Sequence, residues 1–139
     1  MKGIRTTNPV AVGDFVEVDE PGNDVAYITK IEERENYIIR GASNLSKESH
    51  ILASNLSQTL LIVTIAHPQT NLVFIDRFLA TAEAYRVPAI LVFNKIDLYN
   101  EEEQELLDAV INLYQTIGYR CIKVSVVTGE GIDELRGEL

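Results

Sequence analysis

Ala89-Ile90-Leu91-Val92-Phe93 runs directly into Asn94-Lys95-Ile96-Asp97, and this junction decides how the rest of the chain is read. The apolar run does not alternate with polar residues, so it fits a strand covered on both faces, as in a parallel sheet. Pro88 stops any helix from continuing into it. A polar tetrad at the end of such a strand stands at the carboxyl edge, where open α/β sheets bind ligands.

Outward from this strand, apolar runs alternate with helical patterns. Leu60 to Ala66 and a shorter run, Arg120 to Val124, read as two more buried strands. A helix over about residues 70 to 86 would place Phe74, Ile75, Phe78, Leu79, Ala82 and Tyr85 on one stripe. A second, over about 101 to 117, would place Leu106, Leu107, Val110, Ile111, Tyr114 and Ile117 together, with Gly118 suited to its exit. Glu101, Glu102, Glu103 and Glu105 favour its start through the helix dipole. A third helix begins near Gly131, and the sequence stops within it at Leu139, so further chain is expected downstream.

Before Asn55 the texture differs. Phe15 to Val18, Tyr27 to Ile31 and Tyr37 to Ile39 are short strand-like runs, spaced as in a small antiparallel unit. Pro21-Gly22-Asn23-Asp24 supplies a turn between the first two. The expected organisation is a first domain over residues 1–54 and a second over 55–139. Asp19-Glu20-Pro21-Gly22 fits a DxxG pattern, but a strand rather than a helix follows it, so it is read as the hairpin turn.

Composition narrows the class. The 139 residues are 46% hydrophobic and 24% charged, as in a globular chain, with no apolar run long enough to span a membrane. The amino terminus lacks a secretory apolar stretch, so a cytoplasmic setting is expected. The single cysteine, Cys121, excludes an internal disulfide, and with two histidines beside it offers no zinc ligand set. The net charge of −9 divides as six basic against nine acidic residues up to His50 and six against twelve after it. Neither part has the basic field that broad nucleic-acid binding requires.

The tetrad has a specific chemistry. A guanine base presents two parallel N–H donors, on N1 and on its exocyclic amine, and one carboxylate accepts both; adenine has no such pair. Asp97 is the candidate reader. Asn94 can tie neighbouring loops together and reach the base's acceptor edge, while the stem of Lys95 can lie along the ring with its ammonium in water. Ile96 completes the motif. Taken alone, the tetrad reads equally well as a polar loop at a strand end.

Ser125-Val126-Val127-Thr128-Gly129-Glu130-Gly131 follows the next strand. Ser125 can buttress Asp97 or its own loop, backbone N–H groups near Val126 and Val127 can face the base oxygen, and the glycines permit a tight entry into a helix. This segment alone would pass as an ordinary strand-to-helix turn. No glycine directly precedes a lysine anywhere, so no GxxxxGK[ST] phosphate loop is present, and no catalytic residue is assigned.

Together, the NKxD and SxxTGxG segments resemble the base-recognition half of the GTPase family of P-loop proteins. Their order, after a small β unit and with no phosphate loop before them, resembles the ribosome small-subunit-dependent, circularly permuted GTPases. Residues 9–18, Ala53-Ser54-Asn55-Leu56-Ser57-Gln58, Ile75-Asp76-Arg77-Phe78-Leu79 and Asn94 to Leu98 carry that resemblance. Leu56-Ser57 stands where the family usually has Val-Asp, and Val126 where it often has alanine.

The resemblance implies an α/β fold: a partial, permuted GTPase sheet lacking its phosphate-loop strand, preceded by an incomplete OB-like unit. It implies GTP and GDP as ligands, held here by Asn94, Lys95, Ile96, Asp97, Ser125, Val126 and Val127. Magnesium would require the missing phosphate loop, and zinc a missing carboxyl-terminal domain. It further implies a GTP hydrolase acting on the small ribosomal subunit and its rRNA, with this portion unable to turn over GTP alone.

In that fold the strand at Leu60 pairs with the phosphate-loop strand, so its bare edge here is expected to bring oligomerisation, edge pairing or marginal stability. The alternative is a non-enzymatic OB-like module for RNA or ribosomal protein, with Lys30, Arg34, Arg40 and Lys47 as a local basic patch. Guanine preference that depends on Asp97 separates the first reading from the second.

Overall fold

The computed structural model describes residues 10–22, 24–40 and 50–139, with the side chain of Arg40 outside that description. Lys47, Asn23 and Pro9, which entered the sequence reading, lie outside the described residues. The chain divides into two compact units, Met1–Ser57 with Thr81–Val87, and Gln58–Ala80 with Pro88–Leu139.

In the first unit, β1 (Val16–Asp19) and β2 (Tyr27–Ile31) form one antiparallel pair. Asp19 faces Tyr27 across the turn, so Asp19 to Gly22 is hairpin, as its sequence implied. The strand β3 (Tyr37–Arg40) does not join them. It pairs antiparallel with β4 (His50–Ser54), a strand the sequence reading missed. The described residues of this unit thus form two separate two-stranded antiparallel sheets.

The first unit is held by a buried ion pair. Arg34 reaches the two Asp14 oxygens with Nε and Nη2, each at 2.7 Å, and the two side chains are only 9% and 1% exposed. Ser54 Oγ and the Ala11 N–H also donate to Asp14, at 2.5 and 2.8 Å. The Arg34 hydrogen bonds hold the Asp14 carboxyl well below the usual carboxylate range. Arg34 is therefore turned into the unit rather than onto a basic patch, and Lys30 lies between Glu17 and Glu32. Tyr85 packs its ring on Tyr37, with centroids 4.8 Å apart.

In the second unit, β5 (Thr59–Val63), β6 (Ala89–Phe93) and β7 (Arg120–Lys123) form a parallel sheet in the order β5-β6-β7. The strand alternation sorts side chains to two faces. Leu61, Val63, Leu91 and Phe93 pack with Ile75 and Leu79 of α1 (Leu72–Ala84) and with Leu107, Val110 and Tyr114 of α2 (Glu101–Ile117). Ile90, Val92, Ile122 and Val124 form the opposite core, joined by Leu60 and by Ile132 and Leu135 of α3 (Ile132–Glu138). Both faces of β6 are covered, which is why its sequence is an unbroken apolar run.

Several expected boundaries moved. β5 ends at Val63 because the next N–H groups leave the ladder: Thr64 N–H goes to Thr70 Oγ1 at 3.1 Å and Ile65 N–H to the Tyr99 hydroxyl at 3.0 Å. Helix α1 starts at Leu72, with the Asn71 side chain accepting the Val73 N–H, and ends before Arg86, whose φ of 61° is left-handed. The helical stripes are narrower than expected. Phe74, Leu106 and Ile117 are exposed, at 54%, 44% and 63%.

Candidate functional site

The carboxyl ends of β6 and β7 carry the expected loops. After Phe93, Asn94 still donates its N–H to Val63 O at 2.9 Å, and the chain then turns through Lys95, whose φ is 65°. A single 3-10 turn, Ile96–Leu98, follows and lifts Asp97 away from the core. Asn100 caps α2 reciprocally with Glu103: its Oδ1 takes the Glu103 N–H at 2.9 Å, and Glu103 Oε1 takes the Asn100 N–H at 3.2 Å.

Beyond β7, Ser125 is completely buried. Its N–H donates to Glu130 O and its carbonyl accepts from the Gly129 N–H, which closes the loop on itself. Gly131 completes the turn with φ 75°, and a Cβ there would come within 2.0 Å of Lys123 O, so this position requires glycine.

The two loops meet through side chains. Ser125 Oγ donates to Asp97 Oδ1 at 2.7 Å and accepts the Thr128 N–H at 3.1 Å. Asn94 Oδ1 receives the Val126 N–H at 3.4 Å, which leaves the amide NH2 as its remaining donor. Ile96 N–H reaches Val124 O at 3.4 Å. Asp97 is exposed, and no hydrogen bond engages its second oxygen among the described residues. Val126 and Val127 are 70% and 86% exposed. Of the seven residues singled out by sequence, Asn94, Asp97, Ser125 and Val126 are joined directly and Ile96 by its backbone. Lys95 turns to the loop after β5, and Val127 forms the outer tip of its own loop.

Three further residues frame the site. Tyr99, 5% exposed, donates its hydroxyl to Asn94 O at 2.5 Å while accepting the Ile65 N–H. Burial pushes the Tyr99 phenol above its ordinary range, so it remains a donor. Lys95 Nζ donates to His67 O at 2.6 Å, and the His67 ring nitrogen Nε2 lies 3.4 Å from Glu103 Oε2. Nothing local in the sequence marks Tyr99 or His67, because each acts across a loop, and Glu103 was marked only as part of a helix start. Among the described residues no three His, Cys, Asp or Glu side chains come together as metal ligands.

A family model described as RsgA GTPase matches residues 31–139. The chain belongs to the RsgA GTPase family. The small ribosomal subunit biogenesis GTPase RsgA of Phocaeicola vulgatus is 60% identical over 139 residues, covering 100% of this chain and 45% of that protein. The RsgA of Porphyromonas gingivalis is 59% identical over 141 residues, again covering 100% and 45%. Among solved structures, YjeQ from Thermotoga maritima aligns with a TM-score of 0.74 at 31% identity, over 94% of this chain and 43% of that one. YloQ, described as a circularly permuted GTPase, aligns with a TM-score of 0.65 at 26% identity, over 98% and 44%. The chain therefore spans less than half the length of the RsgA relatives it matches. Its mixed α/β architecture, a three-stranded parallel sheet beside small antiparallel ones, is similar to that of YjeQ and YloQ.

Proposed function

We propose that this chain is the base-reading part of a circularly permuted GTPase that acts in small ribosomal subunit biogenesis. One observation carries the proposal: Ser125 holds one oxygen of Asp97, and no hydrogen bond from the described residues engages the other at the carboxyl edge of the sheet. In this reading the carboxylate accepts N1–H and the exocyclic amine of guanine. The Asn94 amide donates to the base's acceptor edge, and the stem of Lys95 lies along the ring. The base oxygen faces Val126 and Val127, and the Val127 N–H is the freer donor because Asn94 already engages that of Val126. Ile96 anchors the turn through its N–H.

The domain assignment belongs to the same proposal: residues 1–54 as part of an OB-like domain that meets the small subunit and its rRNA, and residues 55–139 as the first part of the GTPase domain. GTP hydrolysis would then need a phosphate loop with its magnesium, which these 139 residues lack in sequence, so this portion alone does not turn over GTP. Zinc, by the same resemblance, belongs to a carboxyl-terminal domain of the whole cytoplasmic protein. The names of the RsgA relatives and the match over residues 31–139 support this reading. The OB-like RNA module as a sole function draws less support, since Arg34 is committed to Asp14.

Calorimetric titration of the full-length protein with GDP and ADP tests the proposal. GDP is expected to bind more tightly, and Asp97→Ala to remove most of that preference, about 10- to 100-fold for a charge-assisted hydrogen bond. Equal affinities for the two nucleotides, or a preference that survives Asp97→Ala, would contradict it.

A further inference from the structure

Both ends of Lys95 are held. Its backbone sits in the left-handed region with φ 65°, and its ammonium donates to His67 O at 2.6 Å. What fixes that carbonyl is therefore part of what fixes the lysine. The loop from Thr64 to Thr70 is braced internally, by Thr64 Oγ1 on Pro68 O, Thr64 N–H on Thr70 Oγ1 and Thr70 N–H on Thr64 O. It is linked outward by the Ile65 N–H on the Tyr99 hydroxyl and, at its tip, by the His67 ring, which faces Glu103 Oε2 at 3.4 Å.

Glu103 divides its two oxygens between tasks. Oε1 caps the start of α2 by accepting the Asn100 N–H, and Oε2 faces His67. The start of α2 is thereby linked to the loop after β5, and that loop to Lys95, around the same corner that Tyr99 braces from inside. Neither His67 nor Glu103 belongs to the set that approaches the base.

We infer that His67 and Glu103 are positioning residues for nucleotide binding: together they hold the His67 carbonyl where it fixes the Lys95 ammonium, and so set the lysine stem that lies along the base. This inference rests on the base-reading assignment above. It makes a prediction that assignment does not. A stem lying along a ring contributes equally to guanine and to hypoxanthine, whereas a carboxylate that accepts the exocyclic amine tells the two apart, because hypoxanthine lacks that amine.

The experiment measures GDP and inosine diphosphate affinity of the full-length protein carrying Glu103→Gln or His67→Ala, each alone and with Lys95→Ala. Glutamine retains an oxygen for the helix cap, so Glu103→Gln removes the charge facing His67 while leaving α2 capped. Each single substitution is expected to weaken both nucleotides by the same factor, about 3- to 10-fold, with their ratio unchanged. In the Lys95→Ala background neither is expected to weaken binding further. Unchanged affinity, an altered ratio, or a loss that persists without Lys95 would overturn the inference. Asp97→Ala run in parallel keeps the two ideas apart: if it leaves the GDP to inosine diphosphate ratio untouched, the base-reading assignment itself fails.

Discussion

In the proposed base-reading site, Asp97 supplies the carboxylate, Ser125 the hydroxyl that holds it, and a strand end presents both. Behind them, Tyr99 joins two loops with a single buried hydroxyl. Tyr99→Phe leaves the Ile65 N–H and Asn94 carbonyl without that partner, and is expected to cost about 1–3 kcal/mol of stability by urea denaturation. No measurable loss would show the hydroxyl to be dispensable. Asp14 gives a prediction with a sign. Its carboxyl is held below its unfolded value, so the stabilisation it provides is complete above about pH 4 and is lost as the pH falls below that. Wild-type stability should drop as the pH falls below about 4, and Asp14→Asn should flatten that slope while costing about 3–5 kcal/mol at neutral pH. A slope unchanged in the variant would refute this. Asn94, Asp97 and Ser125 were legible because strand and polar segment adjoin in sequence. The pairing of Arg34 with Asp14, and of His67 with Glu103, was not, because such partners lie 20 and 36 residues apart and only the fold brings them together.

At the scale of elements, β6 and α2 appear with the bounds their patterns imply, since each has clear punctuation: Pro88 before one, the Asn100 cap and Gly118 around the other. β4 escaped notice because His50 and Ser54, polar at both ends, leave only the short apolar centre Ile51-Leu52-Ala53. Leu106 and Ile117 joined the predicted stripe by spacing, but the sheet is only three strands wide and α2 buries a narrower band, Leu107, Val110 and Tyr114. The strand β5 lies at one edge of that sheet with Ile62 64% exposed. Sedimentation of these 139 residues across a range of concentrations is expected to reveal self-association, and Ile62→Lys to weaken it, because a charged side chain disfavours edge pairing. A single monomeric species at all concentrations would count against edge pairing.

For the whole molecule, two kinds of unit share one chain: two-stranded antiparallel sheets with a buried ion pair, and a doubly covered parallel sheet with a polar corner at its carboxyl edge. The second was readable as a class from periodicity and the first as short antiparallel strands; which of those short strands pair was not readable, since that is decided by contacts far apart in sequence. With a net charge of −9, the nucleotide binding proposed above rests on local geometry rather than on a general positive field. The central claim is that Asp97 recognises guanine by accepting its amine. Xanthine carries an oxygen in place of that amine, so Asp97→Asn, which supplies a donor, should reverse the match. Affinities of the full-length wild type and Asp97→Asn for GDP and xanthosine diphosphate test this most directly. The wild type should prefer GDP and the variant xanthosine diphosphate; a variant that keeps the wild-type preference would contradict the account.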